Sequence, residues 1–360
     1  MRILIVVDDY QDGAGNIAQL LALHLKKRKN EISILCTNNH SAPRYYLDGI
    51  QRYDKNFSQI SGSPIKRFGL MLRCIRDTAK KARSKMIISF IDNNNTLSCF
   101  AFMFSKLPII VSERSNPVAI QPEFPWNHLR RMAYRRADAV SVLFDSFTGF
   151  DYGRYLDKCI VTPNFVKEAD CHKTDYSGGT TSFISCGRFA PIKRFDLMIE
   201  MFARAYEKNK TIDLHIYGSG QMRDRLQDRI ATLGLEKVVS LHPYTENVYE
   251  TLAKHDVYLM TSEQEGFPNA LCEAMAAGLP VIAFCCHEGL RELVQDGENG
   301  FLIEDDSKDD FVETMIGLSE NHEICERIGN EAKKITQIYS EQEVMKRWEM
   351  CIHTAKRQPM

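Results

Sequence analysis

The sequence predicts an α/β protein of two doubly wound parallel-sheet domains facing across a cleft. Three observations carry that prediction. Short apolar, β-branched runs alternate with helix-period segments along the chain. The runs are continuous rather than alternating apolar and polar, as in strands buried on both faces. The length, 360 residues, suits two such units at roughly 150 residues per domain.

In the first half the predicted strands are RILIVV (2–7), EISILCT (31–37), KMIISF (85–90), LPIIVSE (107–113), ADAVSVL (137–143) and KCIVTPN (158–164). The second half supplies TSFISCGR (181–188), DLHIYGSG (213–220), VVSLHP (238–243), DVYLMTS (256–262), LPVIAF (279–284) and GFLIE (300–304). The polar, Gly-containing stretch 162–179 has no period and marks the boundary. The expected domains are therefore 1–165 and 166–339. The segment 340–360 opens with Ser340 and Glu343, a capping-box pattern, and reads as a terminal helix. A helix near 66–83 carries a stripe of Phe68, Met71, Leu72, Ile75, Ala79 and Ala82. Lys66, Arg73, Arg76, Lys80 and Arg83 group on another side.

Charge divides the halves. Residues 1–165 hold 24 Lys and Arg against 14 Asp and Glu, and the remainder 22 against 33. Such asymmetry fits two modules with different partners, the basic one suited to an anionic membrane surface or a phosphorylated acceptor. Arg130, Arg131, Arg135 and Arg136 add to that basic character. Nothing in the pattern suggests nucleic acid. Eleven cysteines are scattered without C-x-x-C or metal-like spacing, which reads as reduced thiols of a cytoplasmic protein. The start reads as a buried strand rather than a signal peptide. The apolar region 97–111 is broken by Lys106 and Pro108, short of the ~20 residues of a membrane span.

In doubly wound folds ligands sit beyond the carboxyl ends of strands, and the chemically suggestive residues fall there. Glu265 lies in the loop after DVYLMTS, and Glu273 about one turn into the next helix. Pro268 suits that helix start, whose free N–H groups form an anion site, and Gly266 permits close approach of backbone. Paired carboxylates around such a site fit hydroxyl groups on either side of a diphosphate. The same pair could serve as acid and base of a glycoside hydrolase, though that chemistry needs no phosphate-type helix start. After another strand come Gly187, Arg188 and Lys193, two cations able to hold a diphosphate without a metal. No D-x-D is present to hold a divalent ion. In the first domain VVDDYQDGAGN places Gly13 and Gly15 in a turn between strand and helix. It lacks the third glycine of a dinucleotide fingerprint. Asp92, Arg114 and Asn116 end two further strands and form a candidate pocket for a hydroxyl-rich acceptor, loop chemistry being the alternative.

GRFAPIKRFDLMIEMF, LHIYGSGQMRDRL, TSEQEGFPNALCEAMAAGLPVI and HEGLRELVQDGENGFLI, in that order, resemble the retaining glycosyltransferases of family 4, with the GT-B fold of two Rossmann-like domains. The resemblance covers residues 180–305 strongly. It implies that Glu273 binds ribose hydroxyls and Glu265 the transferred sugar. Phe267, Asn269 and Ala270 would give the backbone shell of the phosphates, with Arg188 and Lys193 neutralising the leaving diphosphate. Gly13 and Gly15 match a glycine loop facing the donor, and the last helix would cross back to the N-terminal domain. ISFIDNNN followed by PIIVSERSNP is similar to bacterial enzymes that extend lipid-linked oligosaccharides, several of them N-acetylgalactosamine transferases. Two departures stand out. No histidine occurs in 89–117, where many members carry one, and Leu290 follows Gly289 where proline is frequent.

The resulting expectation is a metal-independent, retaining hexosyltransferase using a UDP-sugar as co-substrate and no cofactor. Its acceptor would be a saccharide on a polyprenyl diphosphate, met at the cytoplasmic face of the inner membrane. A UDP-sugar epimerase of the same fold, or a non-catalytic subunit that binds sugar nucleotide, are the alternatives. Neither the sugar, the linkage nor the oligomeric state is written in these residues.

Overall fold

The computed structural model describes residues 1–11, 13–38, 41–117, 126–149, 158–176, 178–305 and 307–357. Chain contacts divide it into two compact units, Met1–Asn164 with Gln342–Met360, and Phe165–Glu341.

The first unit holds strands β1 (Arg2–Val7), β2 (Glu31–Cys36), β3 (Gln51–Asp54), β4 (Met86–Phe90), β5 (Ile109–Ser112), β6 (Ala139–Val142) and β7 (Cys159–Val161). Among its helices are α1 (Gly13–Lys27), α2 (Pro64–Lys81), α3 (Asp92–Ala101) and α4 (Trp126–Tyr134). The strands form one parallel sheet in the order β3-β2-β1-β4-β5-β6-β7. β1, RILIVV, is buried along nearly its whole length and pairs β2 on one side and β4 on the other. The polar QRYD of β3 escapes an apolar-run reading because it is an exposed edge strand, where one partner and little burial suffice.

The second unit follows with β8 (Thr181–Cys186), β9 (Ile212–Tyr217), β10 (Val239–His242), β11 (Val257–Met260), β12 (Val281–Phe284) and β13 (Phe301–Ile303). Its helices are α5 (Phe195–Lys208), α6 (Arg223–Thr232), α7 (Val248–Leu252), α8 (Asn269–Ala276), α9 (Lys308–Ser319), α10 (His322–Ala332) and α11 (Ile335–Ile338). The sheet order is β10-β9-β8-β11-β12-β13, again parallel. Phe183, Leu214, Leu259 and Ile282 of the strands pack with Phe202 and Met198 of α5 and Phe311 of α9 in one core.

Helix α12 (Glu341–Arg357) is counted with the first unit from Gln342 onward. Trp348, fully buried, stacks at 5.6 Å on Phe90 at the end of β4. Glu349 pairs with His24 of α1 at 3.0 Å.

Helix α2 starts as its sequence suggests, with Ser63 accepting a bond from the Lys66 amide and Pro64 in the first turn. Its apolar stripe turns inward, Ile75 and Ala79 being buried, while Lys66, Arg73, Arg76, Lys80 and Arg83 are exposed. Two of the arginines grouped with that basic surface belong elsewhere. Arg130 and Arg136 are buried. Arg136 donates to the carbonyls of Phe102, Ser105 and Leu107 and pairs with Asp138 at 2.9 Å. An arginine that caps three carbonyls holds a turn together and presents no charge to a surface. Among the described residues, no helix is long and apolar enough to cross a membrane.

Candidate active site

Strand order reverses in each sheet, between β1 and β4 and between β8 and β11. Chain leaves the two strands of such a pair in opposite directions, so a crevice opens beyond their carboxyl ends. Several of the candidate residues lie at these two places.

In the second unit the loop after β8 carries Gly187, Arg188 and Lys193, and the loop after β11 carries Glu265. Lys193 Nζ lies 2.6 Å from Glu265 Oε1. The contact is scaffolded on both sides. The Thr261 hydroxyl donates to the carbonyl of Lys193 at 3.0 Å, and the Glu263 amide donates to Ile192 O at 2.9 Å. Arg194 takes the left-handed conformation, with φ 48°, to turn from this loop into α5. Arg188 is exposed and makes no ion pair among the described residues. The loop after β9 closes the floor. A Cβ on Gly218 would stand 1.9 Å from the Gly187 carbonyl oxygen, so only glycine lets these backbones approach. At Gly220, φ +148°, a Cβ would stand 2.6 Å from the Phe189 carbonyl oxygen.

Helix α8 begins at Asn269, one residue later than the proline suggests; Pro268 is its N-cap. Glu273 therefore lies one turn in, half-buried, and Gly266, Phe267 and Ala270 precede or open the helix. The buried Phe267 ring packs edge-on against Tyr339 at 5.9 Å. Around Glu265, burial lowers His287 to about 4, against the pull of the carboxylate. Burial also raises the Cys286 thiol to about 12, Glu265 adding to it. Both groups are neutral at pH 7, so Lys193 and Glu265 provide the local charge. Among the described residues no group of three or more His, Cys, Asp or Glu is placed to hold a metal ion.

The sequence did not point to the histidine stack beside this crevice. Tyr217 at the end of β9 stacks on His242 at 4.3 Å, and His242 lies 2.9 Å from His215 across the strand pair. His215 meets Asp213 at 3.3 Å, while burial and the neighbouring His215 lower His255 to about 3. The alternation of β9 carries the signal, since Asp213, His215 and Tyr217 share one half-buried face.

In the first unit Gly13 and Gly15 lie within the first turn of α1 rather than in a turn before it. The acceptor-side candidates separate. Arg114 is an internal strut: its guanidinium donates to Ser112 Oγ (2.7 Å), Thr162 O (2.8 Å), Asn164 Oδ1 (3.4 Å), Ser141 Oγ (2.7 Å) and Thr162 Oγ1 (3.1 Å). It also sits over the Trp348 ring at 5.2 Å. All five N–H groups are occupied, and burial lowers its pKa to about 9. It ties β5, β6, β7 and α12 together and has no donor left for an acceptor. Asn116 is buried beside it in sequence.

Asp92 keeps a reactive setting. It opens α3 directly after Ile91, whose φ of 71° is unusual for a β-branched residue and costs backbone energy. Its partner Arg130 stands 3.7 Å away, and buried Glu113, which accepts a short bond from Tyr134, lies nearby. Burial first, then Glu113, raises the Asp92 carboxyl to about 7, against the pull of Arg130 and Trp126.

Residues 167–335 match the family described as Glycosyl transferases group 1. The chain carries a group 1 glycosyl transferase domain. It is 31% identical, over 54% of its length, to the poly(ribitol-phosphate) alpha-N-acetylglucosaminyltransferase of Staphylococcus aureus, of which it spans only 39%. A Campylobacter jejuni alpha-1,4-N-acetyl-D-galactosaminyltransferase, named for an undecaprenol-diphosphate-linked saccharide, is 24% identical and covered for 97% of both chains. Anabaena HepE, solved with UDP and glucose, superposes with a TM-score of 0.81 at 17% identity, over 98% of this chain and 100% of that one. The two parallel-sheet units thus carry the GT-B fold. The transferase domain match takes in Arg188, Lys193, Glu265 and Glu273, and leaves Asp92 outside it.

The raised Asp92 carboxyl gives a prediction. Between its ordinary value near 4 and about 7, the folded chain keeps a proton that the unfolded chain has released. Rising pH therefore favours unfolding across that window, and the effect is complete above it. Comparing denaturant unfolding of the native chain and Asp92→Asn from pH 4 to 8 isolates the term. The difference in stability shifts by on the order of 1–3 kcal/mol in favour of the variant as pH rises from 4 to 7.

Proposed function

We propose that this chain is a retaining, metal-independent glycosyltransferase. It moves a hexose or N-acetylhexosamine from a UDP-sugar to a saccharide carried on a polyprenyl diphosphate. The observation that carries this reading is the Lys193–Glu265 contact at the strand-order reversal, with the exposed Arg188 in the same loop as Lys193 and Glu273 one turn into α8. Supporting it, a relative covered along nearly its whole length is named for transfer to such a lipid-linked saccharide.

In the proposed reaction the acceptor hydroxyl oxygen bonds to the anomeric carbon on the face that the diphosphate leaves. The bond from that carbon to the diphosphate oxygen breaks, and the hydroxyl proton passes to the departing oxygen. No protein nucleophile is needed. Arg188 offers a bidentate fork to the growing negative charge. Lys193, held by Glu265, divides its charge between that carboxylate and the diphosphate. Glu265 then accepts from hydroxyls of the transferred sugar and Glu273 from those of the ribose. The backbone of Gly187, Gly266, Phe267, Asn269 and Ala270 lines the phosphates.

The acceptor belongs on the basic first unit, at the cytoplasmic face of the membrane. There the exposed Lys66, Arg73, Lys80 and Arg83 of the α2 region would meet anionic headgroups, each contributing about 1 kcal/mol. Phe104, fully exposed beyond α3, supplies an apolar contact. Co-sedimentation with phosphatidylserine vesicles tests this part: salt-sensitive binding supports it, and equal recovery with neutral vesicles contradicts it.

The reaction is tested by incubating the purified chain with UDP-, GDP- and ADP-sugars, with and without a short polyprenyl-diphosphate saccharide, and measuring released nucleotide. UDP release that depends on acceptor is expected. Arg188→Ala lowers that rate by about 10²–10³-fold with the fold intact by circular dichroism. Turnover of UDP-sugar without acceptor would point to an epimerase, and native turnover in the variant would remove Arg188 from the reaction.

A further inference from the structure

The strand-order reversal of the first unit also holds a cavity, of about 300 Å³, which nothing in the donor chemistry uses. It is at the small end of ligand pockets, roughly 300–1,000 Å³, the size for one sugar residue. Its lining comes from the ends of β1 and β2, from α2, and from the first turns of α3 and α4. Walls of Phe57, Leu97 and Trp126 are apolar. Asp8, Arg67 and Asn94 make it polar on one side.

Asn94 is 2% exposed, and its Nδ2 has no hydrogen-bond partner among the described residues. Leaving a buried amide donor unmade costs about 1–3 kcal/mol, which a ligand acceptor would recover. Its Oδ1 is within 3.1 Å of the Thr37 hydroxyl. The same hydroxyl is 3.2 Å from Asp8 Oδ1, which also accepts from Asn38 Nδ2 at 2.7 Å. Thr37 thus brings a buried donor and a carboxylate acceptor to one point of the cavity. Arg67 Nε, also buried, is a second donor without a partner among the described residues.

These groups select among ligands. A hydrocarbon chain would leave the Asn94 amide donor unanswered. A phosphate would meet the Asp8 carboxylate. A neutral group that presents a carbonyl acceptor, an N–H donor and a methyl together answers all three features, and an acetamido substituent does so. We infer that this cavity binds the acetamido group and ring of an N-acetylhexosamine in the acceptor saccharide, with Asn94 donating to its carbonyl and Asp8 accepting from its N–H. The inference rests on the transferase reading. It adds to that reading where, and by which group, the acceptor is recognised.

Saturation-transfer NMR on the full chain tests it, with methyl α-N-acetylgalactosaminide and methyl α-N-acetylglucosaminide against methyl α-galactoside as probes. The acetamido methyl protons receive saturation from the native protein. The effect falls at least fivefold in Asn94→Asp, which keeps the shape and removes the donor. It falls likewise in Trp126→Ala, which leaves Asn94 in place should the first variant fold poorly. Methyl α-galactoside gives little transfer. Equal transfer to methyl α-galactoside, or undiminished transfer in both folded variants, overturns the inference. A thermal shift with UDP, run on the same samples, reports the other unit: its absence in the native chain speaks against the donor reading and leaves the result at this cavity standing.

Discussion

The reversal of strand order in each sheet is the constraint on which the rest depends. Between β8 and β11, and between β1 and β4, successive connections leave in opposite directions, so a crevice opens beyond the strand ends. In the second unit what lies there is the lysine–glutamate contact, with Arg188, which makes no ion pair among the described residues, in the same loop as Lys193. In the first it is a cavity with amide and carboxylate on one wall and aromatic rings on the other. Lys193 and Glu265 lie outside the second unit's core of Phe183, Leu259 and their partners, whereas the first-unit cavity is walled by the buried Phe57 and Leu97.

The two sites treat charge differently. Around Lys193 the neighbouring histidine and thiols are neutral, so the cation and carboxylate set the local field and remain accessible to a charged ligand. Around Asp92 the charges are buried. There burial and a second carboxylate push the acid toward neutrality despite an arginine at 3.7 Å. A site for a diphosphate needs the first condition, because its ligand brings charge with it. Strain at Ile91 falls at the same strand end, where the chain must turn abruptly from β4 into α3.

Much of this was legible in the sequence, and the parts that were not share a physical reason. Most strands announced themselves as apolar runs, because strands buried on both faces must be continuously apolar, while β9 alternates. β3 did not, because an exposed edge may be polar. The residues of the second site were readable because strand, loop and helix follow one another locally, so Glu265 and Glu273 are fixed by neighbours in sequence. Arg114 was misread for the opposite reason. Its partners Thr162, Asn164 and Trp348 are 48 to 234 positions away, and only the packed structure shows that its donors are spent. Asn94 belongs to the same class: within DNNN it looks like loop chemistry, and its role depends on Thr37, 57 residues earlier.

The account stands on the second unit holding a uridine nucleotide at the β8/β11 reversal. Calorimetric titration of UDP into the purified chain and into Glu273→Gln addresses that directly. Loss of a charged hydrogen bond to the ribose is worth about 1.5–3 kcal/mol, so the account predicts binding to the native chain and a roughly 10- to 150-fold weaker constant in the variant. Equal binding by both chains, or none by the native one, would contradict it.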